Sequence, residues 1–167
     1  TGSTSLDEAL ERVEEYAASN PDLPWIVGRG WNQELWQENT FPTALDLDQV
    51  VEDRPVFLSR IDGHAAWVNS VALTIGDVTR ETQDPVGGRV IRDEEGDPTG
   101  ILVDAAETYV ARFIPQESQE QLEEAIERAL QEMLSLGITG VHDAGVSKDV
   151  WDMYQQFDRR DELTVHI

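Results

Sequence analysis

The sequence predicts an α+β fold: a small mixed sheet with a β-hairpin and helices, followed by alternating β and α pieces. Residues 25–103 contain several short apolar or β-branched runs but few long helical patterns. Two of these runs, residues 89–92 and 100–103, flank a turn rich in Gly, Pro and acidic residues, which is typical of a hairpin. From residue 117 the order is helix, strand, helix, strand, as in parallel α/β units.

The first elements follow from spacing and turn residues. Apolar side chains recur at helical spacing over residues 6–19, and Asn20-Pro21 ends that helix. A short strand at residues 25–27 leads to Gly28-Arg29-Gly30, which we interpret as a close turn. Two glycines without a nearby lysine do not make a phosphate-binding loop. The sequence over residues 43–54 predicts a short helical turn.

The stretch 55–73 is the centre of the predicted fold. Residues 56–60 indicate a largely buried strand, which ends at the turn formed by Asp62 and Gly63. A short helix is predicted next, and its apolar side carries four residues: Ala65, Val68, Ala72 and Leu73. Asp62 and His64 therefore lie where a strand ends and a helix begins, a favoured position for ligand-binding groups.

The elements predicted after residue 103 are mainly helices that alternate with short strands. Asp104 is predicted to cap a helix that runs to about Phe113. The strongest helix signal covers residues 117–136 and ends at Gly137. A strand over 138–143, a helix over 147–160 and a strand over 163–167 follow. Because a final strand needs a sheet neighbour, we expect the chain to be part of a longer protein.

The composition of the chain argues against several classes of function and of site. The formal net charge is −22, which argues against nucleic-acid binding because such a surface repels phosphates. Lys148 is the only lysine, and an acidic, lysine-poor surface favours a halophilic source over an ordinary acidic protein. No apolar run approaches 18 residues, so no membrane span is expected. No targeting signal is recognisable, and a cytoplasmic location is expected. Without cysteine, disulfides and thiolate metal sites are excluded.

Several separated motifs occur in an order that resembles amidohydrolase family 3, a family of metal-dependent hydrolases. The resemblance covers about residues 25–145. The motifs are Gly30-Trp31-Asn32, Arg54-Pro55-Val56, Asp62-Gly63-His64-Ala65-Ala66-Trp67-Val68-Asn69-Ser70, Pro98-Thr99-Gly100-Ile101-Leu102 and Leu136-Gly137-Ile138-Thr139-Gly140-Val141-His142-Asp143-Ala144-Gly145.

The resemblance implies a TIM barrel with an α+β insertion beside its active site. Residues 1–24 would then be a helix adjoining the barrel, 25–104 the insertion, and 105–167 part of the barrel. It also implies hydrolysis of a non-peptide, amide-like C–N bond in a small molecule by metal-activated water. The divalent metal, expected to be zinc, would be held by ligands outside this chain, so no metal ligand is assigned here and the isolated chain is expected to be inactive.

His64 and Asp62 are the leading catalytic candidates. In the functional interpretation the His64 imidazole faces the substrate of the complete enzyme, where it polarises a carbonyl or transfers a proton. Asp62 would orient that ring or contact the substrate. In the structural alternative, Asp62 caps the helix and His64 is a packed residue of its first turn.

His142 and Asp143 end a predicted barrel strand, where barrel enzymes place catalytic groups. The alternative is a supporting role, with Asp143 holding a loop or capping the helix near Ser147. Trp31 and Trp67 are candidates for the wall of a substrate pocket, and the alternative is a place in the core.

A second function remains open, namely a stand-alone acidic binding or assembly module without catalysis. Its tryptophans and charge would then recognise a partner or a cation. In either case, exposed strand edges predict a possible homo-oligomer, because unpaired backbone groups favour edge pairing.

Overall fold

The structure is a computed structural model that describes residues 2–37, 39–116 and 118–167. The chain forms two compact units, Thr1–Pro115, which we call the sheet unit, and Gln116–Ile167, which we call the helical unit. Across the described ranges, no helix combines the length and apolar character needed to cross a bilayer.

A five-stranded mixed sheet in the order β1-β2-β3-β5-β4 forms the centre of the sheet unit. β1 and β2 are parallel, and every other neighbouring pair is antiparallel. The predicted hairpin is confirmed as the last two strands. The strands are β1 (Ile26–Trp31), β2 (Val56–Arg60), β3 (Ala65–Val68), β4 (Gly88–Arg92) and β5 (Pro98–Asp104).

In the described part of the sheet unit, four α-helices and two short 3-10 turns precede, connect or follow these strands. The first helix matches the predicted range, and the Ser5 side chain caps it by accepting a hydrogen bond from the backbone N–H of Glu8. The elements are α1 (Leu6–Ser19), α2 (Ala44–Asp48), α3 (Ser70–Ile75), α4 (Thr108–Ala111) and the turns Gln33–Leu35 and Ala105–Glu107.

The sheet has a buried core on each face. On one face, α1 packs against a cluster of aromatic and aliphatic side chains that includes Trp31 and Trp67. On the other, α3 and α4 pack against Phe57, Val68 and Leu102. Because successive residues of a strand point to opposite faces, β3 contributes alternately to both cores. All four of its residues are therefore buried.

The helix predicted directly after Gly63 is wrong over its first half. Residues 65–68 are strand β3, which pairs with β2 on one side and β5 on the other, and the helix begins only at Ser70. Asn69 caps it, because its side-chain oxygen accepts from the backbone N–H of Ala72. A strand buried on both faces has no polar alternation, so its sequence resembles a buried helix.

The close turn predicted at Gly28-Arg29-Gly30 is also wrong, because β1 continues through these residues to Trp31. The register between β1 and β2 shifts between Arg29 and Trp31, which marks a bulge at the end of the parallel pair. The extension brings Trp31 alongside Arg60 of β2.

The helical unit contains α5 (Gln119–Ser135) and α6 (Lys148–Arg159), close to the predicted ranges. Gly137 ends the first as predicted, and the N–H of Ile138 donates back to the carbonyl of Met133. The predicted strands at 138–143 and 163–167 shorten to a single parallel bridge between Gly140 and His166. In the part of the chain that the structure describes, these two segments share a single bridge and so form only a few ladder hydrogen bonds. The apolar core of this unit comprises Ile126, Leu130, Met153, Phe157 and Val165.

Candidate functional site

The central feature of the sheet unit is a polar cluster at one end of β3 and β5. His64 directly precedes β3, and Asp104 is the last residue of β5. The backbone N–H of Asp104 donates to the carbonyl of His64 over 3.1 Å, so the antiparallel pairing sets the two residues side by side. Asp62 and Glu107 complete the cluster from the turns on either side.

The His64 ring is bound by Asp104. Its Nδ1 lies 2.7 Å from Oδ1 of that carboxylate, and 73% of the His64 side chain is exposed. The hydrogen bond to Asp104 raises the pKa of His64, and the negative charges of Asp104, Asp62 and Glu107 act in the same direction. The ring is therefore neither packed in the core nor part of a helix.

Asp62 holds the turn rather than the ring. Its Oδ1 accepts the backbone N–H of His64 over 3.0 Å, and its other oxygen pairs with the guanidinium of Arg60. The hydrogen bond from the His64 backbone is the main cause that lowers the pKa of Asp62, and Arg60 adds to it. The structure thus brings both leading candidates together, with Asp104 as the contact of the imidazole.

Glu107 is the half-buried member of the cluster. Its Oε1 is inaccessible and has no hydrogen-bond partner among the residues that the structure describes. Burial, with a smaller contribution from the charge of Asp104, raises the pKa of Glu107 to about 6. The cluster therefore contains one carboxyl that resists ionisation next to carboxylates that accept hydrogen bonds.

We expect Glu107→Gln to stabilise the protein above pH 7 by about 1 kcal/mol. The pKa of Glu107 is raised from 4.5 to about 6 in the folded protein, so its protonated carboxyl favours folding below pH 4.5. This contribution is lost as the pH rises through 6 and Glu107 ionises, whereas glutamine stays neutral. The full shift corresponds to at most about 2 kcal/mol, and solvent screening of a half-buried carboxyl reduces it by about half. Urea unfolding at pH 4 and pH 8 measures the difference.

The matched control is Glu94→Gln, which changes an exposed glutamate in the turn between β4 and β5. We expect this control to leave stability nearly unchanged at both pH values. An equal gain from Glu107→Gln at pH 4 and pH 8 would contradict the assignment, because it would not depend on ionisation.

Asp104 is the residue of the candidate site whose contact with His64 the sequence does not predict. It is predicted as a helix cap, but its side chain makes no cap hydrogen bond to the 3-10 turn that follows. The contact with His64 spans 40 residues. Recognising residues 65–68 as a strand would have revealed it, since the β3–β5 register then sets residue 104 beside residue 64.

His142 and Asp143 belong to the helical unit. His142 is exposed and, with Gly140 and His166, lines a shallow cavity of about 270 Å³. Asp143 accepts from the N–H of Gly145 over 3.2 Å and from the hydroxyl of Tyr154 over 3.1 Å. Asp143 thus holds the loop before α6, the supporting arrangement considered above, and its involvement in catalysis stays a prediction.

Trp31 and Trp67 lie in the core of the sheet unit and also line a cavity of about 340 Å³ next to α1 and β1. Their ring centroids are 6.1 Å apart in an edge-to-face arrangement. Both indole N–H groups are used, since Trp31 donates to the carbonyl of Leu58 and Trp67 to that of Thr43. Substrate contact by either ring stays a prediction.

The polar cluster does not fit a metal centre. A protein-bound metal ion needs three or more converging ligands. In residues 2–37, 39–116 and 118–167, no group of three or more His, Asp or Glu residues is arranged to hold one. The chemistry that the cluster itself offers is proton transfer and hydrogen bonding by an exposed, carboxylate-bound imidazole.

Comparisons with known proteins identify the family of the chain. N-substituted formamide deformylase of Arthrobacter pascens is 30% identical over 158 residues, covering 92% of this chain and 29% of the relative. Protein LONG AFTER FAR-RED 3 of Arabidopsis thaliana is 38% identical over 144 residues, covering 86% of this chain and 24% of the relative. The chain therefore spans about a quarter to a third of the length of the curated relatives it matches.

A solved structure shares the fold. An uncharacterized metal-dependent hydrolase from Pyrococcus furiosus aligns with a TM-score of 0.57 and 27% identity, over 97% of this chain and 31% of that protein. The profile of the amidohydrolase family matches residues 1–167, which is the whole chain. This α+β chain therefore belongs to the amidohydrolase family.

Proposed function

We propose that this chain is the substrate-facing section of a metal-dependent amidohydrolase that cleaves a non-peptide, amide-like C–N bond in a small molecule. The observation that carries the proposal is the exposed His64–Asp104 pair, in a chain that matches the family along its entire length. The name of the Arthrobacter relative supports an amide-like substrate.

The proposal gives two ranges of the chain different tasks, with a boundary that differs from the one between the sheet unit and the helical unit. Residues 25–104 form the insertion beside the active site, and residues 105–167 supply helices and strands of a partial TIM barrel. The parallel bridge between Gly140, which precedes α6, and His166, which follows it, supports a parallel arrangement. The catalytic metal, expected to be zinc, is held by residues of the complete protein other than the His64 cluster.

In this proposal His64 moves a proton at the leaving nitrogen. Cleavage of an amide-like bond releases an amine, and its nitrogen needs a proton before it departs easily. Because Asp104 raises the pKa of His64, more of the imidazole is protonated near neutral pH. Asp62 keeps the turn closed through the His64 N–H, so that the ring extends from a fixed backbone.

The test uses the complete product of the gene that encodes this chain, assayed on N-substituted formamides and related amides. We expect His64→Gln to lower kcat about 100-fold, the usual range for loss of a general acid. Glu95→Gln, at an exposed turn, is the control and should keep wild-type activity. The isolated 167 residues should show no turnover with added zinc.

Wild-type kcat/KM in the His64→Gln enzyme would reject the proposed role of this residue. A complete gene product without bound metal and without hydrolysis would instead favour the acidic binding or assembly module.

The proposal also covers the oligomeric state, the source and the location of the protein. β1 and β4 are the edge strands of the sheet, so a second copy pairing there is the proposed route to a homo-oligomer. The acidic, lysine-poor composition supports the proposal of a halophilic source. A cytoplasmic location is a separate part of the proposal.

A further inference from the structure

The backbone of Asp104 adopts a conformation that L-residues rarely occupy. It has φ 49° and ψ −120° at the point where β5 passes into the 3-10 turn. Such a residue persists only when its surroundings compensate for the strain, and strain of this kind is concentrated at functional sites. A glycine would adopt the same backbone freely. An aspartate where glycine would fit without strain therefore indicates a role for the Asp104 side chain other than stabilising the fold.

The contact that the side chain makes is specific to one ring nitrogen. The Oδ1 of Asp104 lies 2.7 Å from Nδ1 of His64. A carboxylate oxygen only accepts hydrogen bonds, so Nδ1 carries a proton whether the ring is charged or neutral. Nε2 is then the nitrogen that gains and loses the exchangeable proton. In free histidine the neutral ring has no such constraint.

Stability does not explain the pair. Both side chains are largely exposed, 73% for His64 and 48% for Asp104, and exposed ion pairs contribute little to folding. A strained backbone that supports a weak surface pair is unfavourable for folding. Fixing the tautomer and direction of the imidazole does account for it.

We propose that Asp104 is the positioning residue of the site, which holds His64 in the Nδ1–H tautomer so that Nε2 exchanges the proton with a bound molecule. The identity of that molecule rests on the proposed function, whereas the tautomer does not. The charged groups that face His64 are Asp104 on β5, Asp62 in the β2–β3 turn and Glu107 in the following 3-10 turn.

The test is nitrogen-15 NMR of the three histidine side chains in the 167-residue chain, recorded as a function of pH. We expect the wild-type signals of neutral His64 to show Nδ1 protonated and Nε2 bare. Asp104→Gly removes the carboxylate and suits the positive φ, so this variant should fold. Its His64 should lose the Nδ1–H signature and titrate closer to a free histidine.

Two further variants separate positioning from charge. Asp104→Asn tolerates positive φ and keeps an oxygen acceptor, so it should retain the Nδ1–H tautomer while the pKa of His64 falls. Asp62→Asn removes a charge that does not touch the ring, and it should also leave the tautomer unchanged. Thermal stability of Asp104→Gly should equal or exceed that of the wild type.

A neutral His64 in the Nε2–H tautomer in the wild type would overturn the proposal. So would an unchanged tautomer and titration in Asp104→Gly. If the tautomer behaves as expected but the complete gene product hydrolyses no amide, the proposed function fails and the positioning role stands.

Discussion

Replacing Asn69 by leucine should lower the free energy of unfolding of the sheet unit by about 4 kcal/mol or more. The Asn69 side chain is fully buried and uses its entire hydrogen-bonding capacity. Its Oδ1 accepts the N–H groups of Val56 and Ala72, and its Nδ2 donates to the carbonyls of Val51 and Arg54. Leucine has a similar volume but removes the partner of four backbone groups. Three of them are buried and the carbonyl of Arg54 is partly buried, and a buried group left unpaired costs about 1–3 kcal/mol.

The Asn69 effect is measurable by tryptophan fluorescence during denaturant unfolding, because four of the five tryptophans lie in the sheet unit. Asn20→Ala is the control, since Asn20 makes one side-chain hydrogen bond, to the carbonyl of Tyr16, at an exposed helix end. It should cost less than about 1 kcal/mol. A loss for Asn69→Leu as small as that of the control would show that water or rearrangement satisfies the freed groups.

The consequence of Asn69 extends to the candidate site. Its four hydrogen bonds join the start of β2, the loop before it and the first turn of α3. β2 and β3 form the hairpin whose turn carries Asp62 and His64. Asn69 has no proposed catalytic role, but its hydrogen bonds stabilise the strands that flank the turn carrying His64.

Local sequence signals predicted the elements that are stabilised locally. The helices α1, α5 and α6 have one apolar stripe and a polar cap, so spacing alone identifies them. The β4–β5 hairpin is specified by its own turn. β3 could not be identified in this way, because its character depends on pairing with strands on both sides. Tertiary contacts therefore decided the element that carries the site.

The candidate site shows the same difference between residues marked by local sequence signals and residues selected by tertiary contacts. His64 and Asp62 were identified from the sequence, because a motif and a turn mark them. The sequence predicts Asp104 to be a helix cap, whereas its carboxylate binds a ring 40 residues away. The unusual φ of Asp104 occurs where β5 passes into the 3-10 turn, and the sequence analysis does not predict it. A polar side chain at a strand end has several local partners available, and only the fold selects among them.

Gly100→Ala should lower the free energy of unfolding of the sheet unit by about 3 kcal/mol or more. Gly100 lies in β5 with φ +101°, which an alanine adopts only with strain. An added Cβ would lie 2.6 Å from the backbone nitrogen of Ala44 and 2.7 Å from the carbonyl oxygen of Val68. Both neighbours are backbone atoms, so no side-chain rotation relieves the clash and β5 or α2 must shift.

Gly87→Ala separates the clash from the backbone strain. Gly87 has φ +78°, but an added Cβ there meets no atom within 4 Å. The free energy of unfolding of this variant should therefore fall only by the cost of the backbone strain, about 1 kcal/mol. The difference in free energy between the Gly100→Ala and Gly87→Ala variants then measures the close approach of β5 to α2. Denaturant unfolding followed by tryptophan fluorescence compares them directly. Equal losses would mean that the strands adjust freely, in which case the β3–β5 pairing that sets Asp104 beside His64 would not be rigid either.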